Sequence, residues 1–148
     1  MDNKEFKIIF DQVAKSNGFE KAFGGWFKES AECIVVLNLQ KSNFGDHFDL
    51  NIKVYIQGVL GNVYERSKEL IKDIGDYFRR QPPEFNSLFD LSLLMDDATR
   101  NQELARLFNE FLIPFVNNAL SRSGIKEMDA KGEISLLPAV KESLMQLS

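Results

Sequence analysis

Residues 48 to 56 read Phe48-Asp49-Leu50-Asn51-Ile52-Lys53-Val54-Tyr55-Ile56, with apolar and polar side chains in strict alternation. Successive side chains of a strand point to opposite faces, so the pattern predicts a half-buried strand. Phe48, Leu50, Ile52, Val54 and Ile56 fall on its core side. Upstream, Cys33-Ile34-Val35-Val36-Leu37-Asn38-Leu39-Gln40 is a nearly continuous aliphatic and β-branched run, which predicts a second strand. Between them, Ser42-Asn43-Phe44-Gly45-Asp46 is hairpin-sized and rich in turn formers, so the two strands pair antiparallel. Trp26-Phe27, just after Gly24-Gly25, starts a short strand ahead of them. The three make a meander.

Outside this sheet the apolar period changes to that of a helix. Phe6, Ile9, Phe10 and Val13 share one helical face, with Asp2 and Glu5 spaced as a reciprocal N-terminal cap. Asn17-Gly18 supplies the residues that tolerate a left-handed helix end. In the last third, Leu104, Leu107, Phe108, Phe111, Leu112, Phe115 and Val116 form a second stripe. Asp96, Asp97 and Thr99 precede it as caps, Pro114 should kink it, and Ser123-Gly124 should end it. A final helix is predicted over 137–147, with Pro138 in its first turn, where proline is tolerated. Residues 62–93 fit two patterns. The reading adopted is a short helix or loop over 63–72, then strands near 75–80 and 86–93 separated by Gln81-Pro82-Pro83. The predicted class is α+β in one domain: an N-terminal helix, an antiparallel sheet of about four to five strands, and C-terminal helices packed on one face.

Composition narrows the function classes. The 148 residues carry a net charge of −4, which disfavours nucleic acid and anionic membrane surfaces as partners. Thirteen phenylalanines against one tryptophan and three tyrosines point to core packing. One cysteine, Cys33, allows no internal disulfide. The first residues lack the basic and apolar regions of a secretory signal, and no apolar run reaches the roughly 20 residues that span a bilayer. A cytoplasmic location is expected.

The order of short motifs resembles a known family. Gly18-Phe19-Glu20-Lys21 follows the first helix and Trp26-Phe27 lies just beyond. One strand ends in Asn38-Leu39-Gln40-Lys41-Ser42, and Phe48-Asp49-Leu50-Asn51-Ile52 begins the next. This succession resembles the bacterial domain-of-unknown-function family 4304, best over residues 4–57. The resemblance implies a small α+β fold with an antiparallel sheet and implies no activity. Members of that family often carry a cysteine and a Trp-Trp pair in the second half. Here that region has Phe85 and Phe89-Asp90-Leu91, so no site built on tryptophans carries over.

The residues for common chemistries are sparse. The only histidine, His47, stands beside Asp46 and Asp49; in an extended segment it shares a face with Asp49. Cys33 has no basic neighbours to activate it and reads as a small core residue. One histidine and one cysteine cannot build the usual zinc sites, and Asp96-Asp97 reads as a helix cap, so no metal or cofactor is assigned. No glycine-rich phosphate cradle is present, since Gly58-Val59-Leu60-Gly61 lacks the strand–loop–lysine pattern.

One polar constellation remains. Asn38 and Gln40 share a face of one strand, and Asn51, Lys53 and Tyr55 share a face of the next. All five lie opposite the apolar face, and Trp26 borders them if its register allows. Amides, a lysine and a phenol side by side suit recognition by hydrogen bonding and stacking. A plain solvated sheet face is the competing reading. Three functions follow. The first is a non-enzymatic binding module for a protein, such as a basic partner masked as by an immunity-type inhibitor, or for a polar small molecule. The second is a hydrolase-like enzyme using His47 with Asp49, or a carboxylate set of Asp90, Asp96 and Asp97. The third is a homo-oligomer joined through an edge strand or a Phe-rich helix surface.

Overall fold

A computed structural model describes residues 1–147. Its sheet contains β1 (Glu20–Ala22), β2 (Gly25–Glu29), β3 (Cys33–Lys41), β4 (Phe48–Ile56) and β5 (Tyr77–Arg80). All neighbours are antiparallel and the spatial order is the sequence order. The strands β3 and β4 pair along their full length, from Cys33 opposite Ile56 to Lys41 opposite Phe48. This register puts Val35 beside Val54 and Leu37 beside Ile52, so the apolar sets of both strands share one face.

Helices cover that face. The first, α1 (Asn3–Ser16), is capped as its sequence predicts: Asp2 Oδ1 accepts from the Glu5 amide at 2.8 Å, and Gly18 is left-handed at φ +86°. Phe6 stacks on Phe48 at 5.8 Å, while Phe10 packs against Trp26 at 4.7 Å and Phe108 at 5.6 Å. Fully burying each ring is worth about 1.5–3 kcal/mol. The C-terminal layer comprises α4 (Asp97–Leu107), α5 (Ile113–Ala119), α6 (Arg122–Ala130) and α7 (Pro138–Gln146). The predicted order of helix, antiparallel sheet and C-terminal helices is the one observed.

Two local expectations need correction. Residues 86–93 form no strand. After Pro82, a 3-10 turn (Pro83–Phe85) runs into the short helix α3 (Asn86–Phe89), because Phe85, Leu88 and Phe89 enter the core at helical spacing. Ser123-Gly124 starts a helix instead of ending one: Ser121 caps α6 by accepting from the Gly124 amide at 2.9 Å. A side chain at Gly124 would collide with the Asn118 carbonyl, so the glycine serves close helix packing. At Pro114 a π turn over Phe108–Leu112 links α4 to α5. There the Ile113 amide bonds the Phe108 carbonyl, and the wider turn absorbs the donor that proline lacks.

The second sheet face is partly covered too. The connection between β4 and β5 includes α2 (Lys68–Lys72), within the 63–72 segment expected as a short helix or loop. Leu70, Ile71 and Tyr64 from this connection pack on Phe27, Ile34, Val36 and Tyr55. Among the described residues, no helix is long and apolar enough to cross a membrane.

Gly25 lies where α2 meets the sheet. A β-carbon there would sit 2.8 Å from the Leu37 carbonyl oxygen and press into the Ile71 side chain. Gly25→Ala is expected to cost about 1–3 kcal/mol. Urea unfolding should show it as a lower midpoint at unchanged slope.

Candidate functional site

The register decides what the polar face became. On the outer face, Val36 lies opposite Lys53 and Ile34 opposite Tyr55, and both polar side chains run under α2. Tyr55 is 2% exposed and its hydroxyl donates to the Leu70 carbonyl at 2.8 Å. Lys53 is 3% exposed and its Nζ donates to the Ile71 carbonyl. These two groups therefore hold the carbonyl end of α2, where a cation also complements the helix dipole. Burial lowers the Lys53 ammonium from its usual range, opposed by the nearby Asp73 carboxylate. It likewise pushes the Tyr55 phenol upward. Trp26 does not border the patch. It pairs with Leu37 on the opposite face, packs against Phe10 with the rings tilted, and donates from Nε1 to Asp11 at 2.9 Å.

Asn38, Gln40 and Asn51 stay together beyond the edge of α2. Asn51 lies opposite Asn38 on one side and opposite Arg80 on the other. Its Nδ2 donates to Gln40 Oε1 at 3.0 Å, and its Oδ1 accepts from Arg80 Nε at 3.3 Å, so the Asn51 amide is held from both sides. Arg80 also reaches Asp49 at 3.6 Å. Asn38 differs: its Oδ1 is buried with no donor. Sequence reasoning missed Arg80, whose only signal was the Arg79-Arg80 pair, and Phe78, which sits beside Lys53 on the same face.

His47, Asp49 and Asp90 converge on one cleft of about 250 Å³, lined also by Phe48, Gln81 and Asn86. His47 and Asp90 form an isolated antiparallel bridge, and the Leu91 amide bonds the Asp46 carbonyl at 2.8 Å, which ties the two loops together. Gln81 is fixed at the back, accepting from the Leu50 amide at 2.8 Å and donating to Asn86 at 3.1 Å. Hydrogen bonds from the Ser92 hydroxyl and amide hold the Asp90 carboxyl below its ordinary value, aided by His47. Asp96 and Asp97 do not join this site. Asp96 caps α4 by accepting from Thr99 at 2.7 Å, and Asp97 lies 3.8 Å from the N-terminal amine. Cys33 is buried, and burial pushes its thiol to about 12, far from a reactive thiolate. Among the described residues no group of three or more His, Cys, Asp or Glu side chains is placed to hold a metal ion.

A five-stranded antiparallel meander with helices on one face and a short covering segment on the other defines a small α+β protein. The chain belongs to a family described as a domain of unknown function (DUF4304), whose model matches residues 10–120. Comparison with curated proteins and with solved structures finds no match.

One buried group in the covering segment makes a pH test. Asp76 accepts from the Ile56 amide at 2.8 Å and from the Tyr64 hydroxyl at 3.1 Å. Burial nevertheless raises its carboxyl above the ordinary value. The folded chain therefore binds more protons than the unfolded chain between the ordinary and the raised value. Stability from this group is complete below that window and declines as pH rises through it. Wild type should gain stability relative to Asp76→Asn as pH falls from neutral toward the ordinary carboxylate range, measured by urea unfolding at a series of pH values. A difference that stays flat, or that moves the other way, refutes this.

Proposed function

We propose that the chain is a non-enzymatic binding module of the bacterial cytosol. It holds a protein partner on the open part of the outer sheet face, around Asn38, Gln40, Asn51 and Arg80. The Asn38 carboxamide carries the reading: its oxygen is buried without a donor, beside amides already held in position. An unsatisfied buried acceptor costs about 1–3 kcal/mol, which a donor from a partner would relieve once the half-buried carboxamide turns its oxygen outward. Lysine and arginine are rich in such donors, and a basic partner also suits the chain's net charge of −4. Phe44 and Leu94 support a protein over a small molecule. Both are fully exposed, on the two loops tied together at this end of the sheet, and exposed large apolar side chains suit an interface. Self-association through β5 is less well supported. Antiparallel pairing of two copies over the four-residue β5 would crowd the arginines at positions 79 and 80 of both copies into one short ladder.

Capture from bacterial cytosol at low salt, with the wild-type chain and Asn38→Ala side by side, tests the proposal. The variant should keep its thermal midpoint or raise it, because the unsatisfied oxygen is gone. It should lose affinity for the captured partner by at least about tenfold. A chain that captures nothing, or a partner held equally by both forms, sinks the reading.

One observation favours a second reading, a hydrolase-like enzyme: His47, Asp49 and Asp90 line a single cleft. An imidazole near an ionised carboxylate has the components of a general base. Turnover of any ester, amide or phosphoester in a substrate panel should vanish in His47→Ala. Turnover that persists in the variant removes this reading.

A further inference from the structure

A second cleft, of about 190 Å³, lies between the β5 edge and α5–α6, away from the outer face. Phe111 and Phe115 on one side, with buried Met128 and Ile134, give it an apolar floor. The two rings stack on each other at 5.6 Å with an interplanar angle of 13°. Arg79 lies across them, its guanidinium 4.4 Å from the Phe111 centroid and 5.9 Å from that of Phe115. Its Nε is spent on the Arg80 carbonyl at 3.2 Å, which sets the plane of the group.

Among the described residues Arg79 takes part in no ion pair, and neither does Glu133 on the opposite rim. The third charged rim group, Glu110, is already engaged by Arg106 at 3.0 Å. Lys131, the nearest lysine in sequence to Glu133, is held by Glu127 at 2.7 Å. Glu133 itself is anchored through its backbone: Gly132 is left-handed at φ +75°, and the Glu133 amide bonds the Met128 carbonyl at 2.9 Å. A stacked cation and an exposed anion thus share an apolar-floored cleft without bridging it.

We propose that this cleft binds a free α-amino acid with an apolar side chain. The ligand carboxylate meets the Arg79 fork, the ammonium meets Glu133, and the side chain lies on the apolar floor left uncovered by Arg79, beside Met128 and Ile134. An arginine stacked on an aromatic ring keeps its planar donors preorganised for a carboxylate. The volume is below the roughly 300–1,000 Å³ of sites for drug-sized ligands, which restricts the occupant to a small molecule.

The test is a titration of the isotope-labelled full chain with L-leucine, L-valine and L-methionine, read by amide chemical shifts around Arg79, Phe111 and Glu133. Saturable shifts localised there are expected for at least one of the three. Leucinamide lacks the carboxylate and N-acetyl-leucine lacks the ammonium; each should bind at least about tenfold more weakly than leucine. Glu133→Gln, at an exposed position, should weaken leucine binding by a similar factor without altering the fold. Arg79→Gln should do the same, and if it fails to fold, the analogue series and Glu133→Gln carry the test. No saturable shift up to about 10 mM overturns the proposal. So does binding that ignores the loss of either charge.

Discussion

The full-length pairing of β3 with β4 is the constraint on which the rest of the molecule hangs. A slip of β4 by one residue against β3 would send Ile52 and Val54 to the outer face and bring Asn51 and Lys53 into the core. The phenylalanine layer of α1 and the C-terminal helices would then have nothing to pack on. The same ladder sets the polar geography, because it is longer than the strands beside it. The strand β5 ends opposite Asn51, and β2 begins beside Asn38, so Gln40 and Asp49 pair in a part of the ladder with no third strand. That projecting end carries the open amides and borders the cleft of His47 and Asp90.

The other end of the ladder shows how a polar face can be consumed from within. Lys53 and Tyr55 recognise carbonyl oxygens, as such side chains would in a partner, but the carbonyls belong to α2 of the same chain. A helix of five residues cannot stabilise itself, and an isolated buried ammonium is costly. Each supplies what the other lacks. Asp76 completes the arrangement by closing the Tyr64 hydroxyl and the Ile56 amide, which ties the covering segment to the end of β4. The tyrosine pays for this proximity in acidity: burial, with the Asp76 carboxylate second, pushes the Tyr64 phenol up to about 12.

On the helical side, the turn at Phe108–Leu112 and Pro114 lets one continuous helical path present Phe108 and Leu112 to the core while Phe111 faces outward to Arg79. An unbroken α-helix would need the amide that Pro114 lacks. The widened turn therefore serves the core and, through Phe111, the second cleft.

Periodicity alone determined the strands β3 and β4, the helix α1 with its cap, and the division between apolar and polar faces. Each depends on side chains a few residues apart. It also put Asn38, Gln40, Asn51, Lys53 and Tyr55 on one face, and in the register all five lie on the outer face of the sheet. Burial of that face was not legible, because α2 reaches it through a long connection and its match to Lys53 and Tyr55 is a contact between distant segments. The side on which Trp26 points depends on its pairing with Leu37, which no local pattern encodes. The convergence of His47 with Asp90, forty-three positions apart in the chain, likewise needed two loops to be bonded together. Local pattern assigns a residue to a face; only the packing of remote segments decides whether that face meets water, a partner or the chain itself.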